Sequence, residues 1–197
     1  KDTFIGSNVP EEADQVLFFN GTNFDTYFLL QAEGYDQWVA QADDELKSAD
    51  HHIIPPGVGS FIQRPEGAES IELMLTGEAR ASAFAQPLVA GYNLLASPRP
   101  IDLDFDSRAL LLSDGFLGSR DPDAADQIQL WQGDNNPSQL VYESYFLLDA
   151  GDGHQHWTEI GPDLPNVNAT KLFRGNRAFF LKRSGPSRLD YLIPAID

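Results

Sequence analysis

Ala13-Asp14-Gln15-Val16-Leu17-Phe18-Phe19-Asn20-Gly21 reads as a short apolar strand that runs into a tight turn. Valine and phenylalanine suit a pleated, half-buried surface, and Gly21 accepts the positive φ that a hairpin turn requires. The stretch returns as Ala125-Asp126-Gln127-Ile128-Gln129-Leu130-Trp131. Outward from it, Phe4-Ile5-Gly6-Ser7 and Pro10 answer to Phe116-Leu117-Gly118-Ser119 and Pro122, at a constant offset of 112. Later, Tyr27-Phe28-Leu29-Leu30 answers to Tyr145-Phe146-Leu147-Leu148, Trp38 to Trp157, Gly57 to Gly175 and Phe61 to Phe179. The offset there is 118 or 119, which places a small insertion in the polar run Asp134-Asn135-Asn136-Pro137-Ser138. The chain reads as an internal duplication.

The dominant pattern is β, so the fold class is expected to be all-β: two tandem homologous units, sandwich- or barrel-like. Apolar runs at 15–19, 26–30, 37–40 and 59–63 read as strands, and Ser70 to Leu75 alternates charged with apolar residues. The second copy repeats the order at 127–131, 139–148, 157–160, 178–182 and 188–193. Strands about ten residues apart suit sandwiches and barrels. Helix is expected at most over 42–49 and for a turn or two over 107–113. The units are expected at 1–79 and 114–197, each of about five or six strands, with 80–113 as a structured lead-in to the second. That segment, with Tyr92-Asn93-Leu94-Leu95-Ala96, is too apolar for a flexible linker. The expected core is Val16, Phe18, Leu29, Trp38, Phe61 and Leu73, matched by Ile128, Leu130, Leu147, Trp157, Phe179 and Leu189.

With 42% apolar and 11% aromatic residues, the chain is globular. Its net charge of −17 repels nucleic acid and anionic membranes, and no apolar run approaches the ~20 residues of a membrane span. It has no cysteine, which excludes disulfides, thiol nucleophiles and cysteine-ligated metals. It begins at Lys1 rather than Met, as a processed or trimmed product does. Charge is uneven: residues 1–79 carry −12, residues 80–170 carry −9 and residues 171–197 carry +4.

The order of aromatic strand, Tyr-Phe strand, Trp strand and Gly-x-x-x-Phe strand, with the lead-in Leu94-Leu95-Ala96-Ser97-Pro98-Arg99-Pro100, resembles an uncharacterised family of exported bacterial β-repeat proteins. In that family the aromatic strands and the Trp recur in each copy. The resemblance implies an exported β-rich protein and carries no catalytic residue.

Several groups of residues carry candidate chemistry. Asp102, Asp104 and Asp106 alternate, so on a strand they would share one face and could hold Ca²⁺. The plainer reading is an acidic solvent face opposite Leu103 and Phe105. Asp121, Asp123 and Asp126 precede a strand, as Glu11 and Asp14 do, either as ligands or as caps of backbone N–H groups. His51-His52 and His154-x-His156 offer zinc ligands, the latter with Asp152, but lack an evident third or fourth partner. Asn20-Gly21-Thr22 and Asn168-Ala169-Thr170 are glycosylation sequons. No nucleophile elbow, phosphate loop or catalytic triad is present, so no catalytic residue is expected.

The function expected is that of a non-enzymatic, exported, self-assembling structural protein of a fibre or surface layer. Its partners would be other copies, met head to tail through Lys171, Arg174, Arg177, Lys182, Arg183 and Arg188. The first unit has no counterpart of the lead-in, so its sheet is expected to present an incomplete edge that a neighbour fills. The alternative is a carbohydrate-binding or adhesive β module, calcium-dependent or not, that stacks glycans on outward aromatics.

Overall fold

The computed structural model describes residues 4–32, 35–73, 82–97, 101–106, 110, 114–132, 142–151, 154–175, 177–186 and 188–193. The chain is all-β, with antiparallel pairing throughout its strands. It divides into two compact bodies, Lys1–Glu78 and Ala79–Asp197.

The first body holds a four-stranded sheet. β1 (Gln15–Phe19), β2 (Phe24–Ala32), β3 (Tyr35–Ala40) and β4 (Ser60–Gln63) lie in the order β3-β2-β1-β4. The Asn20 side-chain oxygen accepts from the backbone N–H of Thr22 and Asn23, which closes a four-residue hairpin loop rather than a two-residue one. Residues 42–49 form turns instead of the expected helix. Asp43 accepts from the N–H of Glu45 and Lys47, and Leu46 sits at φ 50°, so local side-chain bonds outcompete a helix that has few apolar contacts. Residues 70–73 form no strand, and the rest of the expected strand to Leu75 lies outside the described residues.

The second body is larger. β5 (Phe84–Leu88), β6 (Gly91–Ala96) and β7 (Leu103–Asp104) arise from the lead-in. They are followed by β8 (Gln127–Trp131), β9 (Tyr142–Asp149), β10 (Gln155–Glu159), β11 (Leu172–Phe173), β12 (Ala178–Arg183) and β13 (Leu189–Ile193). The main sheet runs β10-β9-β8-β12-β6, and β11 pairs with β7 and β13 with β5. Each lead-in strand therefore pairs with a strand from the end of the chain. Among the described residues the first body has four strands where five or six were expected, whereas residues 114–197 hold six, as expected, and the lead-in adds three more to the second body. The helical turns expected over 107–113 fall, apart from Leu110, outside the described residues, as does the insertion at 134–138.

The two bodies share a frame, β1 to β4 matching β8, β9, β10 and β12. The entry to each is held by the same bonds. Ile5 N–H donates to Asp14 Oδ2 at 2.8 Å, and Leu117 N–H to Asp126 Oδ2 at 2.9 Å. Gln15 Nε2 donates to the Pro10 carbonyl and Gln127 Nε2 to that of Pro122, each at 2.7 Å. Strand register corrects one alignment. Val16 faces Ile62 and Ile128 faces Leu181, so the counterpart of Phe61 is Phe180, not Phe179; Ser60 stands where Phe179 does. A one-residue slip moves a side chain to the other face of the sheet.

One face of each sheet is a small buried cluster: Ala13, Phe28, Leu30 and Val39 in the first body, Ala125, Phe146 and Leu148 in the second. The opposite faces differ. In the second body it is the main core, in which Ile128, Tyr145, Leu147, Trp157, Phe179 and Leu181 are covered by Leu88, Phe105, Leu110, Val167, Phe173 and Tyr191. In the first body the matching Val16, Phe18, Tyr27 and Trp38 are only half-buried, and Ile62 is exposed. The expected core is corrected accordingly: Leu29 is buried, Phe61 is half-buried on the other face, and Leu73 is 41% exposed. Leu130 and Leu189 pack partly buried against the second core.

Candidate functional site

Three adjacent strands build the open face. Val16 and Phe18 on β1, Tyr27 on β2 and Trp38 on β3 share it, because alternate residues of a strand point the same way and Val16 stands opposite Tyr27. The segment after β3 folds back over its rim. Ala49 N–H donates to the Trp38 carbonyl at 2.7 Å and Trp38 N–H to Asp50 Oδ1 at 2.8 Å. This brings the exposed His52 against Phe18 and Tyr27, with ring centroids 5.5 and 5.1 Å apart, while Phe4 meets Trp38 edge-on at 5.4 Å. Val16, Phe18, Tyr27, Trp38, Asp50 and Ile54 line a cavity of about 190 Å³. Ile53, beside it, is 83% exposed.

The second body makes the same rim bonds and fills the space. Val167 N–H donates to the Trp157 carbonyl at 3.0 Å and Trp157 N–H to Asn168 Oδ1 at 2.7 Å. Phe105 from the lead-in stands edge-on to Tyr145 at 5.4 Å and to Trp157 at 6.0 Å, and Trp157 Nε1 donates to the Leu110 carbonyl. Phe173 packs on Phe105 and Phe179. In the first body Ser60 stands at the register position of Phe179, and the exposed His52 lies against Phe18 and Tyr27. Sequence reasoning found the aromatics but not this asymmetry.

The six basic residues expected on an assembly face are mostly engaged within the chain. Arg183 is corrected outright: it is buried, 3.5 Å from Asp126 Oδ2, donates to the Gly115 carbonyl and stacks over Phe116. Its Nε has no partner within hydrogen-bond distance, so the pair is a long ion pair. Arg64 makes the matching contact to Asp14 at 2.9 Å, a buried acid–arginine pair in each body that the sequence reading missed. Arg174 bonds Asp102 and Arg188 bonds Asp190. Lys171 reaches Glu143 at 3.2 Å and Glu159 at 3.3 Å. Lys182 and Arg177 are half-buried.

Around Lys171 the titration is perturbed. Burial, then the bond to Glu143, pushes the Tyr145 hydroxyl up to about 12. The Tyr145 hydroxyl, ahead of Lys171, holds the Glu143 carboxyl below its ordinary range. Contact with Tyr145 and then Glu143 raises the Lys171 ammonium. Tyr145 and Lys171 both bond Glu143, which ties β9 to the start of β11.

The calcium candidates do not converge. Asp102 accepts from Gly175 N–H and Arg174, Asp104 lies in β7, and Asp106 accepts from Asn168 Nδ2. They do not share one strand face, because only Leu103–Asp104 is strand. Among the described residues no group of three or more acids or histidines is placed to hold a metal ion. His154 is exposed and His156 lies on β10 near the Leu164 carbonyl, while Asp152 lies outside the described residues. Asp14 and Asp126 are caps of backbone N–H groups, and Asp121 caps the turn at Asp123. Asn168 is buried with its amide bonded on both sides, so its sequon is a structural asparagine. No helix among the described residues is long and apolar enough to cross a membrane. Compared with known proteins, the chain matches no family model, no curated protein and no solved structure.

Proposed function

We propose that this chain is a non-enzymatic structural protein of an extracellular assembly, built by internal duplication, which joins a neighbouring polypeptide through the open aromatic face of its first body. One observation carries the reading. The face formed by Phe18, Tyr27 and Trp38 is half-open, whereas its counterpart, with Tyr145 and Trp157 at 0% exposure, is sealed by lead-in and C-terminal residues. An apolar face that the same frame buries elsewhere is costly to leave in water. The contact therefore moves from the basic residues, four of which the chain's own acids engage, to the aromatics.

Light scattering over a concentration series tests the joining of copies. The mass is expected to rise with concentration, and Phe18→Asp to hold the chain monomeric. A wild-type monomer at the highest concentrations, with no Phe18-dependent partner binding, ends the reading.

A carbohydrate-binding function is the second reading. Tyr27, Trp38 and His52 ring a shallow cavity beside the Asp50 carboxylate, a mix of stacking surface and acceptor that suits a sugar ring. Glycan-array binding lost in Tyr27→Ala would favour it.

A further inference from the structure

β3 pairs with β2 as far as Ala40 opposite Tyr27, and Gln41 N–H donates to the Thr26 carbonyl at 2.9 Å. The chain then turns away, with Asp43 N–H on the Ala40 carbonyl, so β2 continues through Asp25 and Phe24 with no strand on that flank among the described residues. Phe24, Asp25, Thr26, Tyr27, Ala40 and Gln41 line a groove there of about 360 Å³, within the ~300–1,000 Å³ usual for small-molecule sites. Tyr27 borders both this groove and the cavity at Trp38. Phe24 is 38% exposed. The exposed Asp25 accepts from Asn20 Nδ2 through Oδ1 at 2.9 Å, which leaves its Oδ2 open to a donor.

The second body shows what an acid at this place holds. By strand register Asp25 corresponds to Glu143, Tyr27 to Tyr145 and Ala40 to Glu159. There the Lys171 ammonium lies between Glu143 and Glu159, at 3.2 and 3.3 Å. In the first body no described lysine or arginine pairs with Asp25, and Ala40 in place of Glu159 removes the side chain that would close the groove. The frame thus keeps a cation's carboxylate without the cation. Around it stand an aromatic ring on Phe24, a hydroxyl on Thr26 and an amide on Gln41. His52 lies against the Tyr27 ring at 5.1 Å, so the stacking surface on offer is Phe24. Aromatic ring, hydroxyl and amide together suit a pyranose, and the carboxylate selects an ammonium group by a charge-assisted bond.

We propose that this groove binds an amino sugar, a pyranose of a glycan that carries an unacetylated ammonium group. The ammonium bonds Asp25, the ring rests on Phe24, and the hydroxyls meet Thr26 and Gln41. Residues 1–79 carry a net charge of −12, which draws a cationic glycan in and turns an acidic one away. The groove is a site of its own and does not depend on docking through Phe18 and Trp38.

The test titrates the full chain with the trimers of glucosamine and of N-acetylglucosamine, at about pH 6, where an ordinary carboxylate is ionised and an amine is charged. The glucosamine trimer is expected to bind about threefold more tightly, the margin of an exposed ion pair, and to lose that margin as salt rises. In nuclear magnetic resonance spectra the backbone amides of Phe24, Thr26 and Gln41 are expected to shift. Asp25→Asn keeps an acceptor for Asn20 and is expected to erase the preference. Glu11→Gln, which removes another exposed acid of the same body, is expected to leave it, and so separates the groove from general attraction to an acidic surface. Phe24→Ala, checked for folding by circular dichroism, is expected to weaken both trimers. Equal affinity for the two trimers, no binding of either, or a preference that Asp25→Asn leaves intact overturns the inference. So does binding that Trp38→Ala abolishes and Phe24→Ala does not. Phe18-dependent association, read separately by light scattering, decides the docking reading whichever way the titrations fall.

Discussion

Trp157 is fully buried, with its indole N–H donating to the Leu110 carbonyl, while Trp38 occupies the same register position on a half-open face. Trp157→Ala is expected to cost about 3–5 kcal/mol, the range for a large buried aromatic that leaves a cavity. Trp38→Ala is expected to cost roughly 1–2 kcal/mol, as partial burial gives. Urea melts of the two variants check the ranking; equal losses would contradict it. Asp126 is equally exposed to test. It accepts from Leu117 N–H at 2.9 Å and Ser184 N–H at 2.7 Å and faces Arg183. Asp126→Ala leaves a buried guanidinium and two N–H groups without their acceptor, and is expected to cost about 3–5 kcal/mol. A denaturation midpoint close to wild type would show that the pair contributes little.

At the scale of elements, β9 and the turn before β11 are clamped by Tyr145, Glu143 and Lys171. Glu143 titrates below its ordinary value of 4.5, so its contribution is present above that value and is lost as pH falls through the folded one. Tyr145 holds its proton to about pH 12 in the folded state and releases it near 10 when unfolded. Stability therefore falls as pH rises from about 10. Lys171, also raised, adds in the same direction, because its contribution is complete below the unfolded value and is lost above it. Thermal melts between pH 9 and 11 are expected to show a steeper fall in wild type than in Tyr145→Phe. Parallel curves would remove the clamp from the alkaline transition. The strands were legible in the sequence because alternation and β-branched or aromatic residues report a pleated surface directly. The turns over 42–49 were not, since Asp43 competes for backbone N–H groups in a way that helix periodicity does not weigh.

For the whole molecule, the lead-in supplies β5, β6 and β7 together with Phe105 and Leu110 to the second body. A chain of residues 114–197 would lose the partner strands of β13, the outer side of β12 and β11, and the cover over Tyr145 and Trp157. It is expected to lack a cooperative melt, whereas residues 79–197 keep one. Near-ultraviolet circular dichroism, which reports packed aromatics, distinguishes the two. A cooperative transition in the shorter chain would mean that the lead-in is ornament rather than core.

By itself the sequence determined the all-β class, the recurrence of one strand frame and the two apolar-aromatic faces, because each is written in local periodicity and in residue spacing. Tertiary structure alone decided which of those faces is sealed. Burial of Tyr145 and Trp157 depends on Phe105, about forty to fifty residues away in the chain, and no local pattern records that contact. It also decided that Arg183 belongs to Asp126 rather than to a neighbour, and that Phe61 aligns with Phe180. Ion pairing and strand register are set by through-space geometry, and a one-residue slip, invisible in a string of letters, exchanges the inside of a sheet for the outside.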